Sequence, residues 1–234
     1  MRQRILVPLE ILEGETVGPG VVDLLASTDV VLLGYHVIPE QTAPSQARMT
    51  FEEKAQAKLN DAAEALREAG ATVETVLAFT PEREQTLDRV AADHDCDAVL
   101  HLNPVMEDEN LLVVLHGDVD AERIGRFTAA FVDGRDVDVT VLEVTPPDEA
   151  ATRTGVVTDA LVDGGYPRQR LTREHVESTT PVKAIAEVAT AFDAMVMGEK
   201  APNLRALVFG DFEERVAAES IGAVFVVRRE DRES

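Results

Sequence analysis

The apolar runs of this chain come in two similar series, and that repetition limits the possible fold more than any other feature of the sequence. Ile5-Leu6-Val7-Pro8-Leu9 opens the first series and Leu111-Leu112-Val113-Val114-Leu115 opens the second. His36-Val37-Ile38-Pro39 is matched by Glu143-Val144-Thr145-Pro146, and Asp97-Ala98-Val99-Leu100-His101 by Asp193-Ala194-Met195-Val196-Met197. Thr80-Pro81 and Thr180-Pro181 each read as a helix start, with Thr at the cap and Pro in the first turn. The period is about a hundred residues, too long for a solenoid repeat.

Between the matched runs lie stretches of helical spacing. In the first series the strands are expected at 5–9, 30–38, 71–79 and 96–102. Its helices are expected at 21–25, 51–68 (ended by Gly70) and after Pro81, and the polar residues 41–48 read as a loop. In the second, strands are expected at 111–115, 137–144, 170–177 and 193–197, with helices at 121–131, 149–161 and after Pro181. Each series is β-α-β-α-β-α-β, an order that requires a parallel sheet with helices on both faces. The second continues through Gly198 and Gly210 to a helix over 212–219 and an apolar strand, Ala223-Val224-Phe225-Val226-Val227. The first stops at Asn103-Pro104. The expected domains are therefore residues 1–104, lacking the glycine loop and last strand, and residues 111–230. Glu107-Asp108-Glu109 belongs to a solvated linker.

Charge narrows the setting. The 234 residues carry a formal net charge of -22, and of the 22 basic residues only Lys54, Lys58, Lys183 and Lys200 are lysine. Such a surface suits a salt-rich cytoplasm, because added salt screens its self-repulsion. It excludes direct binding to nucleic acid or an anionic membrane, which needs a basic patch. The single cysteine, Cys96, allows no intrachain disulfide or cysteine-based zinc cluster and reads as core packing. No leader and no membrane-spanning run is expected, so the expected location is the cytoplasm.

The Ile5-Leu6-Val7-Pro8 opening, the His36-Val37-Ile38 strand end, and Val196-Met197-Gly198 followed by Gly210 resemble the tandem universal stress proteins, and with this acidity those of a halophilic archaeon. The resemblance spans nearly the whole chain. It implies two adenine-nucleotide α-hydrolase-like α/β sandwiches, the first truncated. It also implies that the apolar final strand, Ala223 to Val227, is paired, either with a second chain in a homodimer or against the first copy, and it implies a further protein partner. Nucleotide-binding members of that family carry an Asp after the first strand. They also carry a loop of Gly, two residues, Gly, nine residues, Gly, then Ser or Thr, whose amides and hydroxyl hold phosphate.

By that resemblance the nucleotide site of the second copy consists of His116, Val144, Met197, Gly198, Ala201, Gly210, Asp211 and Phe212. Pro8, Glu10 and Val37 are the remnant in the first copy. The pattern is broken at the positions that grip phosphate. Ala201 stands in place of the second glycine, eight residues instead of nine separate it from Gly210, and Asp211 replaces the hydroxyl residue. A carboxylate about 4 Å from a phosphate costs on the order of 4 kcal/mol at an effective dielectric near 20, about two to three decades of affinity. Glu10 and His116 replace the Asp. The expectation is a non-enzymatic stress or regulatory protein with a degenerate nucleotide loop. The alternatives are a weak ATP or AMP sensor working through the second copy, and a nucleotide hydrolase with His116 or Asp211 as its base.

No other group of residues reads as a site. His36, His94, His101, His116 and His175 lack the spacing of a metal-binding helix, so no metal is expected. His101, inside a strand, reads as structural, and Asp118-Val119-Asp120 as turn and cap chemistry. Ser45, Ser178 and Ser220 have no nucleophile-elbow context. Arg205, in the loop, is within reach of a phosphate or of Asp211.

Overall fold

The computed structural model describes residues 2–39, 41–103, 110–199, 216 and 222–229. The chain divides into two compact units, residues 2–102 and residues 103–234. The first contains β1 (Arg4–Glu10), α1 (Pro19–Leu25), β2 (Asp29–Val37), α2 (Pro44–Glu68), β3 (Thr72–Thr80), α3 (Arg83–Asp93) and β4 (Ala98–His101). Its strands are parallel in the order β3-β2-β1-β4. The second contains β5 (Asn110–His116), α4 (Ala121–Phe131), β6 (Asp138–Thr145), α5 (Thr154–Asp163), β7 (Leu171–Glu177), α6 (Pro181–Ala189), β8 (Ala194–Gly198) and β9 (Ala223–Val227). They run parallel in the order β9-β8-β5-β6-β7. This is the α/β architecture, with parallel strands and intervening helices, that the alternation of runs predicts.

One anchoring device occurs in both units. The Asp97 carboxylate accepts from the Arg4 N–H at 2.9 Å while its own N–H donates to the Arg4 carbonyl at 2.7 Å. Asp193 does the same to Asn110, at 3.0 Å in each direction. Each Asp sits just before the strand beside the unit's first strand, and the paired bonds set the register there.

Aliphatic side chains fill the cores, as a chain without tryptophan requires. In the first unit Leu6, Val31, Leu33, Leu87, Val90 and Cys96 pack together. In the second, Leu112, Val114, Val144, Ile185, Met195, Met197, Val224 and Val226 do, joined by the helical residue Val216. Phe131 and Phe127 of α4 cover Phe225 of β9, with ring centroids 4.8 and 6.4 Å away. Helices α4 and α5 meet so closely that a Cβ on Gly125 would lie 2.8 Å from that of Ala160. Among the described residues no helix is long and apolar enough to cross a membrane.

Several expected boundaries move; the strand expected at 96–102 is shorter, Ala98–His101, and three helix starts shift for identifiable reasons. Helix α2 begins at Pro44, so 44–48 is helix and not loop. Pro44 sits in its first turn, and the polar residues that suggested a loop lie mostly on its solvent face. Its end is as expected: Gly70, at φ +101°, donates to Arg67 and Ala71 donates to Leu66, the paired bonds of a glycine-terminated helix. Helix α3 begins at Arg83, not after Thr80. The Thr80 hydroxyl instead holds the Glu82 N–H at 3.0 Å and receives the Thr86 hydroxyl at 2.9 Å. Helix α5 begins at Thr154, not at 149, because the N–H groups of Arg153 and Thr154 both go to the Glu143 carboxylate. The helix expected over 212–219 lies outside the described residues except for Val216.

Candidate functional site

In an open parallel sheet, ligands bind past the carboxyl ends of the strands where the strand order reverses. In the second unit that point lies between β5 and β8. His116 ends β5 and is in register with Val144 of β6, while Met197 and Gly198 end β8. Four of the expected nucleotide residues are thus on neighbouring strands at one edge of the sheet. The other four, Ala201, Gly210, Asp211 and Phe212, lie outside the described residues, as does Arg205.

The described part of this edge is satisfied by the protein's own groups. Nδ1 of His116 lies 2.9 Å from the Val144 carbonyl. A carbonyl only accepts, so Nδ1 carries the proton and the tautomer is set. The Val144 side chain is fully buried and Met197 is 2 % exposed, so both serve the core. A Cβ on Gly198 would stand 2.7 Å from Cδ1 of Ile124 and 3.1 Å from Cβ of Val119. A side chain at Gly198 would thus require Ile124 of α4 and Val119 before it to shift.

Charges missed by sequence reasoning surround these residues. Glu143 is 0 % exposed inside β6. Its carboxylate accepts from Nε and N–H of Arg153, at 2.9 and 2.8 Å, and from the Thr154 N–H at 3.2 Å. Burial pushes the carboxyl up, but these bonds and the Arg153 charge outweigh it and hold the group below the usual carboxylate range. The other arm of Arg153 donates to the Gly117 carbonyl, in the turn after His116. Arg229, just past β9, donates from Nη1 to the Asp118 carbonyl at 2.9 Å and from its N–H to Glu199 at 2.9 Å. Asp120 caps α4 through the Arg123 N–H at 3.0 Å, as its place in the sequence suggests. A lone Glu inside Val141-Leu142-Glu143-Val144 was the available signal for the first pair; nothing local pointed to Arg229. The Thr145 hydroxyl at the end of β6 lies 2.9 Å from Nε2 of His175 and donates to the Glu149 carbonyl at 2.8 Å, so its proton is directed to the main chain and the imidazole is the donor to it.

In the first unit the remnant residues do not form one surface. Pro8 is buried within β1, and Val37 is 40 % exposed at the end of β2. Glu10 is half-buried at the end of β1, in register with Tyr35. The Tyr35 hydroxyl accepts from Nε of Arg83 at 3.1 Å. Burial, helped by the Arg83 charge, lowers the pKa of His101 at the end of β4, so its imidazole is held neutral.

No family model matches the sequence, and no curated protein sequence matches it. Solved structures do match over its whole length. A universal stress protein from Archaeoglobus fulgidus DSM 4304 aligns at 17 % identity and a TM-score of 0.65, covering 98 % of this chain and 97 % of that one. The fold is that of the universal stress proteins. A functionally unknown protein from Pseudomonas aeruginosa PAO1 shares it, at 17 % identity and a TM-score of 0.57 over 98 % of this chain and 94 % of its own. So does the cytoplasmic domain of a prokaryotic cation chloride cotransporter, at 10 % identity and a TM-score of 0.54 over 100 % and 98 % of the two chains. This spread of proteins makes the universal stress fold a statement about architecture, with function left to the residues of the site.

Proposed function

We propose that the chain is a regulatory protein without enzymatic activity, built from two tandem copies of the universal stress fold. In this reading the nucleotide crevice of the second copy has lost its grip on a triphosphate. The observation that carries it is the bond from His116 to the Val144 carbonyl. It engages a main-chain acceptor at the crevice with one of the protein's own side chains, and the flanking charges of Glu143, Arg153, Asp118 and Arg229 are likewise paired within the chain. The loop substitutions Ala201 and Asp211 act in the same direction. The tandem arrangement is supported by the anchoring bonds of Asp97 and Asp193, made at positions that the sequence repeat sets against each other.

The test is titration calorimetry with ATP, ADP and AMP in about 2–3 M KCl, which screens the self-repulsion of the acidic chain. No saturable heat is expected up to millimolar ATP. Replacing Ala201→Gly and Asp211→Ser together is expected to raise ATP affinity by about two to three decades. A low-micromolar dissociation constant for ATP in the unaltered chain overturns the reading.

A second reading, a weak adenine-nucleotide sensor, is favoured by one observation. The Arg153 and Arg229 guanidiniums reach the carbonyls of Gly117 and Asp118, placing two cations beside the crevice of a strongly acidic chain. Saturable millimolar AMP binding, weakened by Arg229→Gln, selects it. A homodimer through residues 223–227 completes the proposal, on the apolar character of that strand. Light scattering in high salt is expected to give twice the chain mass of 25.4 kDa, and a single chain mass removes the dimer.

A further inference from the structure

The first unit has a cluster of a different kind. Glu10 at the end of β1, Glu13 in the turn after it and His36 near the end of β2 each offer one ligand atom, and the three atoms lie within 4.8 Å of one another. These are two carboxylate oxygens and one imidazole nitrogen, drawn from two neighbouring strands and the turn that follows the first.

Two observations bear on how far these groups are satisfied within the chain. The His36 imidazole is held by edge contacts to Phe51 and Phe79, with centroids 5.9 and 6.4 Å away. Its Nδ1 is buried and makes no hydrogen bond among the described residues. A buried polar atom without a partner is costly and uncommon, so it calls for a specific explanation. The second observation is charge. Glu10, Glu13 and Glu15 fall within one short turn, and the Glu15 carboxylate is drawn in to the Glu10 N–H at 2.5 Å. Among the described residues no cationic side chain comes within ion-pair distance of Glu10 or Glu13. The sequence repeat sets His36 against Glu143, and there the buried group has its counter-charge in Arg153. Beside His36 the two carboxylates of Glu10 and Glu13 have no such cation among the described residues.

We propose that Glu10, Glu13 and His36 bind a divalent transition cation of the zinc class, with water completing its shell. Mixed imidazole and carboxylate donors suit zinc, cobalt, nickel or manganese, whereas magnesium and calcium take oxygen alone. Around zinc, with bonds of about 2.0–2.2 Å, ligand atoms stand about 3.4 Å apart. Closing from 4.8 Å is a small rotation for Glu13, which is exposed at the turn. The cation neutralises the turn, ties it to β2 and makes the first unit the metal-responsive part of the chain. This inference concerns residues 2–102 alone and does not depend on the nucleotide reading of residues 103–234.

The experiment is a titration of the full chain with Co2+ in concentrated KCl, followed by visible absorption, then displacement by Zn2+. High salt suppresses diffuse cation binding to the acidic surface. One equivalent of Co2+ is expected to give a ligand-field band, displaced by Zn2+ and not by equimolar Mg2+. Glu13→Gln, at an exposed position that leaves the circular dichroism unchanged, is expected to weaken binding by at least about tenfold. His36→Gln is expected to abolish the band. The proposal is overturned if no saturable band forms, if the band persists in both variants, or if Mg2+ displaces Co2+ as well as Zn2+ does.

Discussion

Replacing Glu143→Gln is expected to destabilise the second unit by about 3 kcal/mol, the lower end of the range for breaking a buried ion pair. Arg153 keeps some access to water, its side chain being 23 % exposed against 1 % for Glu143, and that access limits the loss. The carboxylate accepts three hydrogen bonds, two of them from the N–H groups that open α5, so the helix start loosens with it. The pH dependence follows from the lowered pKa of the group. The stabilisation is fully present above the unfolded-state value of about 4.3 and is lost as pH falls through the lower folded-state value. Urea unfolding from pH 7 down to pH 3 is the measurement. The unaltered chain is expected to lose stability across the acid range, and the variant to start lower and fall less. An equal slope in the two proteins would show that Glu143 does not act through its charge.

Replacing Gly222→Ala is expected to cost about 3 kcal/mol or more, the upper end for forcing a methyl group into a packed interior. A Cβ there would lie 2.2 Å from the Asp193 carbonyl oxygen, a main-chain atom that cannot turn aside. Asp193 also anchors the start of β5, so a shift at this point reaches β5, β8 and β9 together. Gly155 is the contrast. It lies in α5 with nothing within 4 Å of its Cβ position. Gly155→Ala is expected to stabilise the chain by about 0.5–1 kcal/mol through helix propensity and the unfolded state. Thermal melts of the two variants in high salt separate the effects by sign. If both substitutions were neutral, the close approach of Gly222 to Asp193 would be refuted.

Much of the architecture is legible along the chain, because a strand buried on both faces is a short unbroken apolar run and a surface helix has its own period. Helix α4 over 121–131 and strand β9 over 223–227 lie where the sequence puts them. So do the turn at Gly70 and the cap at Asp120, since each depends on residues only a few positions apart. The start of α2 was hidden by polarity, which a solvent-facing helix turn and a loop share. The starts of α3 and α5 depended on where a threonine hydroxyl and a distant carboxylate send their bonds.

The site divides in the same way. Sequence alone was enough to find the parallel α/β pattern, the two similar series of apolar runs and the acidic composition. Those properties come from the order and spacing of residues, which the chain carries before it folds. Only the tertiary structure turned His116 onto Val144, joined Glu143 to Arg153 and Arg229 to Asp118, and gathered Glu10, Glu13 and His36 into one cluster. Hydrogen bonds, ion pairs and metal ligation act through space over a few ångströms, and in a parallel sheet the residues that close are supplied by strands far apart in the chain.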